Sequence, residues 1–232
     1  MDLTVIANTG GPVLIWRGPD HDRLDLTGPV VANWVNKGVG LFGDYDLGPD
    51  FTLFAPLPQR LHWRELVALL SVLLAGGRVC IGEEPPTEDF MAFVPLGHED
   101  LGSVADAEEV FVFNPPALAL STPVDEDFID VNSAIRAYPD VASRRLDASG
   151  TLEVDGQIID WAGAEQAAPV GGRPQGLLAS NSTPRPDEWP RLLQHLLGGG
   201  ELLLTSSVDD ARMTDLAHGL GVLHGTLGTW TK

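Results

Sequence analysis

The chain of 232 residues carries six histidines, one cysteine and two lysines. Their spacing excludes more chemistry than it supports. The histidines (His21, His62, His98, His195, His218, His224) form no i,i+4 pair and no zinc-ligand cluster. His98-Glu99-Asp100 has the donors for a cation, but an acidic loop facing water is the simpler reading. No metal site is therefore expected. No Gly-x-Ser-x-Gly elbow offers a hydrolytic serine, and no catalytic residue is assigned. Cys80, set between Val79 and Ile81, reads as packing rather than as a nucleophile.

Glycine spacing raises two nucleotide motifs and supports neither. Gly38-Val39-Gly40-Leu41-Phe42-Gly43 spells the dinucleotide fingerprint, which works only after a strand and at a helix N-terminus, where free N–H groups meet pyrophosphate. Here the run ends a helix, so it reads as a glycine-relaxed C-terminal turn. Gly171-Gly172-Arg173-Pro174-Gln175-Gly176 has phosphate-loop spacing, yet Leu177 and Leu178 stand where the lysine and hydroxyl belong. That stretch reads as a turn before a strand. Asn181-Ser182-Thr183 is a glycosylation sequon in letters alone.

Acidic residues number 33 against 14 Lys plus Arg, a formal net charge of -19 and a sequence pI near 4.4. Such a field repels phosphate backbones and anionic lipid, so neither nucleic acid nor a membrane is an expected partner. A single cysteine excludes an internal disulfide framework. No apolar run reaches the ~18 to 20 residues of a membrane span. Met1-Asp2-Leu3-Thr4 lacks the basic and apolar regions of a secretory signal, which makes the cytoplasm the expected compartment.

The elements that must position any site follow from periodicity. Val13-Leu14-Ile15-Trp16 and Leu24-Asp25-Leu26 flank Gly18-Pro19-Asp20 as a β-hairpin. Thr27 and Pro29 open a helix that ends near Gly43. Phe51–Ala55, the loop Pro56–Arg60, Leu61–Ala75 and Val79-Cys80-Ile81 form a strand, loop, helix, strand unit with parallel strands and a right-handed crossover. Gly176–Ala179, Ser180–Pro186, Asp187–Leu197 and Leu202-Leu203-Leu204 repeat it, with Trp63 and Trp189 in similar places. True duplication and convergence on a generic pattern account for the likeness equally well. Phe90–Val94 and Glu109–Phe113 read as further strands, Asp209–Leu220 as a last helix and Val222–Trp230 as a last strand. The expected class is α/β with two lobes, an N-terminal one over 1–145 that includes the hairpin and a C-terminal one over 146–232.

The order of hairpin, Thr27 before a helix, Gly48-Pro49-Asp50 leading a strand, Ala55-Pro56 ending it, then Leu66–Leu74 and Ala75-Gly76-Gly77, resembles the start of the adenylate-forming enzymes. These are the acyl-CoA synthetase, luciferase and peptide-synthetase adenylation superfamily. The likeness is nearest to a short, divergent actinobacterial family of unknown function. It implies that Gln157–Ala168 is the helix after the superfamily's phosphate loop, and that Leu177–Trp230 is the strand, helix and strand that follow. It also places the signature phosphate loop near Ser149–Gly156. That stretch has no lysine, and Glu153 and Asp155 would face triphosphate, opposing it by Coulomb repulsion. The adenine segment, the ribose-binding aspartate and the lid domain with its lysine have no counterpart before Lys232. ATP and AMP binding are therefore expected to be lost, and no cofactor is expected.

The resemblance implies a non-catalytic homologue that binds a small acyl-type or aromatic metabolite, or a protein partner, in an inter-lobe cleft. Ser180, Asn181 and Ser182 follow a strand's C-terminal end, where open α/β sheets place ligands, and are the candidate contacts. Capping of the next helix is their structural alternative. Two other functions stay open: an acyl-activating, AMP-forming ligase with a reorganised or partner-completed site, and a structural subunit of a dimer. A homodimer is expected if a C-terminal strand edge exposes Leu220, Val222, Leu223 and Leu227.

Overall fold

The computed structural model describes residues 3–56, 60–142, 146, 150–161, 174–206, 215, 219–221 and 223–228. In chain order its elements are α1 (Thr4–Ala7), β1 (Pro12–Arg17), β2 (Arg23–Thr27), α2 (Gly28–Gly43), β3 (Thr52–Pro56), α3 (Trp63–Leu74) and β4 (Arg78–Gly82). There follow β5 (Met91–Pro95), β6 (Glu109–Phe113), β7 (Ile129–Asp130), α4 (Val131–Ala134), β8 (Thr151–Val154) and β9 (Gln157–Ile159). β10 (Leu177–Ser180), α5 (Trp189–Leu197), β11 (Glu201–Thr205) and β12 (Leu223–Leu227) complete the described chain.

These elements form two compact α/β units that are interleaved in sequence. Asn33–Leu57 and Arg64–Ile158 build one; Leu3–Ala32, Pro58–Trp63 and Ile159–Lys232 build the other. Neither is a contiguous lobe of 1–145 or 146–232. The hairpin β1–β2 belongs with the C-terminal strands, because β1 pairs in parallel with β11, Leu14 opposite Leu202 and Trp16 opposite Leu204. Val13, Leu14, Ile15 and Trp16 are all at most 4% exposed. A strand apolar on both faces is stable only inside a sheet, and each such side chain contributes roughly 1.5–3 kcal/mol when fully buried.

The second unit's sheet has the order β12-β10-β11-β1-β2, with β12, β10, β11 and β1 parallel. Its core includes Ile15, Leu177, Ala179 and Leu203, with Leu220 and Leu223 packed against them. Leu227 is 1% exposed. Of the apolar residues expected at a C-terminal strand edge, Leu227 is covered and Leu223 partly covered, since β12 turns them onto its own sheet, and Leu220, ahead of β12, packs partly against the same core. Val222 and most of the helix expected over 209–220 lie outside the described residues.

The first unit's sheet has the order β7-β6-β5-β3-β4-β8-β9, and the neighbours from β7 through β8 are parallel. Helix α2 runs through Gly38 and Gly40 and ends at Gly43, so the glycine run forms its C-terminal part as expected. A Cβ on Gly38 would lie 2.2 Å from Ser71 Oγ, and one on Gly40 would lie 2.7 Å from the Tyr138 ring. These glycines serve close packing rather than phosphate. Ser71 Oγ donates to Val67 O (2.8 Å) and lies 3.0 Å from Val35 O, bridging α3 to α2.

Cys80 is 5% exposed in the middle of β4, among Phe54, Phe90, Ala92 and Val112. Burial pushes its thiol up to about 11. The thiolate is the nucleophile, so at pH 8 the side chain is protonated as well as hidden. A thiol reagent at pH 8 should leave Cys80 unmodified under native conditions and modify it once the chain is unfolded. Rapid stoichiometric labelling of the folded chain would overturn both the burial and the strand.

Candidate functional site

The carboxyl edge of the second unit's parallel strands gathers the polar residues that could meet a ligand. Ser180 closes β10 and is 1% exposed; Asn181, 6% exposed, and Ser182 follow it into the loop before α5. Ser180 Oγ donates to Ser182 O at 2.6 Å, with Leu227 O at 3.4 Å. A Cβ on Gly228 would stand 1.9 Å from Ser182 Oγ, and Gly228 has φ +72°, so only glycine fits there. Its N–H donates to Glu188 Oε2 at 2.8 Å. Glu188 also accepts from Arg185, through the backbone N–H and a guanidinium N–H, at 2.9 Å each. The carboxylate therefore binds the start of α5 to the end of β12.

The sequence candidates are brought together, but as a buried turn whose hydroxyl donor at Ser180 is engaged by backbone carbonyls. A base to activate Ser180 is not supplied by His195. Its Nε2 lies 2.9 Å from Glu201 O, at the first residue of β11 and hence the opposite edge of the sheet. Register places Leu177 opposite Glu201 and Ser180 opposite Leu204, so about 10 Å of strand separates the two groups.

Sequence reasoning passed over the neighbours of this turn. Thr205, 2% exposed, ends β11, and Ser206 N donates to Arg17 O at 3.1 Å where β1 ends. Arg60 donates to Ser206 O. The His62 ring meets Trp16 edge-on at a centroid distance of 4.4 Å, while Trp16 Nε1 donates to Asp22 Oδ2 at 3.2 Å. Their common signal was position, since Thr205 and Arg17 are the last residues of their strands.

In the first unit, β3 connects to β4 on one side while β5 and β6 continue on the other, so the strand order reverses between β3 and β5. Crevices at such reversals are the usual ligand sites of open α/β sheets. The loop after β3 includes residues 57–59, outside the described set. The loop after β5 holds His98-Glu99-Asp100, and Glu99 Oε2 accepts the Gly97 N–H at 2.6 Å. No three histidine, cysteine or acidic side chains among the described residues converge as a metal site requires.

The stretch assigned to a phosphate loop has another structure. Thr151–Val154 is strand β8, paired in parallel with β4, and Asp155-Gly156 is the two-residue turn of a hairpin. Asp155 (φ 49°) and Gly156 (φ 73°) both take left-handed conformations, as a type I′ turn demands. Glu153 donates nothing to a phosphate site. It accepts from Arg78 at 2.6 Å, and that hydrogen bond holds the guanidinium in its charged form. Gln157–Ile159, expected to open a helix, is strand β9. The Asp-Gly pair between alternating residues was the legible hairpin signal. The rest of the expected helix, from 162, lies outside the described residues.

The α/β fold of this chain is similar to about half of that of solved CoA ligases. The chain is similar to an acyl-CoA synthetase of Brucella canis, with a TM-score of 0.68 and 13% identity over 97% of this chain and 47% of the synthetase. It is also similar to the anthranilate CoA ligase AuaEII in complex with anthranoyl-AMP, with a TM-score of 0.60 and 12% identity over 93% of this chain and 47% of the ligase. The chain thus spans about half the length of each. No family model and no curated protein matches the sequence. No helix among the described residues is long and apolar enough to cross a membrane.

Proposed function

We propose that this chain is a non-catalytic homologue of the adenylate-forming enzymes that binds a small acyl-type or aromatic carboxylic acid at the carboxyl edge of β10, β11 and β1. The observation that carries the reading is the segment at 150–159. The resemblance calls for a phosphate loop there, and the chain has β8, a tight Asp-Gly turn and β9, with Glu153 ion-paired to Arg78. A strand whose backbone is committed to β4 has no free N–H row for a triphosphate. Lys37, the one lysine among the described residues, adds support. From α2 it donates to Tyr138 O and lies 3.0 Å from Asp140 Oδ1, engaged with the segment after α4.

Calorimetric titration with ATP and magnesium tests the reading. It expects no dissociation constant below about 1 mM, which corresponds to roughly 4 kcal/mol of binding. Pyrophosphate release in the presence of benzoate, anthranilate or a short fatty acid should stay at background. Nucleotide binding tighter than that limit would overturn the loss of the nucleotide site, and acid-dependent formation of AMP and pyrophosphate would make the chain a ligase. Titration with the same acids alone should give a saturable heat, and its absence would remove the metabolite-binding half of the proposal.

A further inference from the structure

A cavity of about 440 Å³ opens at the amino edge of the first unit's sheet, the edge opposite the one where α/β folds place their ligands. Acidic residues from the ends of several elements line it: Asp46 and Asp50 ahead of β3, Asp89 ahead of β5, and Glu108 and Glu109 at the start of β6. Asp44 also borders it, but accepts a hydrogen bond from the Tyr138 hydroxyl. Among the described residues no cation pairs with the other five. Tyr45, Phe51 and Phe90 supply aromatic wall, with Tyr45 packed edge-on against Phe111 at 4.9 Å.

A second observation is independent of the carboxylates. Thr52, at the first position of β3, lines the cavity and is 6% exposed. Leu53 pairs with Met91 and Phe54 with Ala92, so continuation of the register puts Thr52 beside Phe90, on the sheet face where Phe54 meets Phe90 at 5.6 Å. Its side chain is therefore directed to the cavity wall that Phe90 forms, and its hydroxyl makes no hydrogen bond to the described residues. The residue is almost wholly buried, so its hydroxyl is left open to the cavity alone, where a ligand that enters can hydrogen-bond to it.

The carboxylates around the cavity do not converge on a point, since no group of three could hold a metal ion among the described residues. Separated negative charges, aromatic faces and a free hydroxyl match an elongated organic cation, whose methylenes lie on aromatic rings while its ammonium groups meet oxygen. We propose that this cavity binds a linear aliphatic polyamine, with one ammonium group hydrogen-bonded to Thr52 and the others set against the separated carboxylates. The proposal is independent of the carboxyl-edge function above, because it uses neither that edge nor a nucleotide.

Calorimetric titration of the whole chain with spermidine at 0.15 M salt is the test, because at that ionic strength diffuse attraction to an acidic surface is largely screened. One saturable site is expected. Thr52→Val, which changes no charge and little volume, should weaken it about tenfold, the loss of one charge-assisted hydrogen bond. The double variant Glu108→Gln, Glu109→Gln should weaken it at least as much, and provides the same reading if Thr52→Val lowers stability. Asp125→Asn with Asp127→Asn, exposed carboxylates outside the cavity, should leave it unchanged. Absence of a saturable site overturns the proposal. So does equal weakening by the Asp125, Asp127 pair with no effect of Thr52→Val, which would mean counterion attraction to the surface. Magnesium competing as strongly as spermidine would also overturn it, in favour of a point cation.

Discussion

Replacing Trp189 with alanine should lower the unfolding free energy by about 3–5 kcal/mol, the usual result of emptying a buried aromatic site. Trp189 opens α5 and is 0% exposed, so the whole ring lies in the core and no solvent fills the space it leaves. In a chain of this size the loss corresponds to a fall in midpoint of roughly 10 °C, readable by thermal denaturation. Trp189→Phe separates packing from polarity. The indole Nε1 is buried without a hydrogen-bond partner among the described residues, so phenylalanine keeps much of the ring and removes an unsatisfied donor. Its cost should be only about 1–2 kcal/mol. A cost for phenylalanine equal to that for alanine would mean that the N–H, and not the ring, holds the site together.

Gly150→Ala should be nearly as damaging, at about 3 kcal/mol. A Cβ there would stand 2.4 Å from Leu73 O, 2.6 Å from Leu73 Cα and 2.7 Å from Gly77 O, all backbone atoms that cannot rotate away. The same contact carries Gly150 N to Leu73 O at 3.1 Å and Thr151 N to Gly77 O at 3.0 Å, the bonds that seat β8 beside β4. Added volume must break them or shift the end of α3, and overpacking of that kind costs about 1–3 kcal/mol before lost hydrogen bonds are counted. Gly156→Ala is the contrast. Its φ of +73° is strained for alanine, but nothing lies within 4 Å of the new Cβ, so only about 1 kcal/mol is expected. If Gly150→Ala left denaturant stability unchanged and altered ligand binding instead, the segment would be a binding loop rather than a seated strand.

Local order was legible where one short stretch carried its own reasons. The run Val13–Trp16, the Gly18-Pro19-Asp20 turn and Leu24–Leu26 became β1 and β2, and the expected strand Glu109–Phe113 became β6 without change. Helix α3 stops at Leu74, just ahead of Gly76 at φ +90°, as a glycine terminator requires. Parallel pairing of β3 with β4 and of β10 with β11 followed from strand, helix and strand in succession, since a helical crossover permits little else.

Partnership between distant segments was decided only in three dimensions. Nothing in Val13–Trp16 states that the run will pair with Leu202–Leu204 rather than with a nearer strand, because two-sided burial satisfies an apolar strand equally beside any apolar neighbour. The resemblance calls for a phosphate loop near 149–156, whereas the Asp-Gly turn and the alternation of Thr151–Val154 already describe the hairpin that the described part of that stretch forms. Ser180, Asn181 and Ser182 are candidates from strand-end position alone; that Gly228, from a remote segment, packs on Ser182 and is tied to Glu188 is a matter of tertiary structure. The acidic cavity was the least legible feature. Its charges come from residues 46 to 109 and look in sequence like scattered solvated positions, and only the alignment of the amino ends of β3, β5 and β6 sets them around one space with Thr52 in its wall. Sequence encodes periodicity and turns because these act between near neighbours, whereas a site assembled from strand ends exists only once the sheet has set their register.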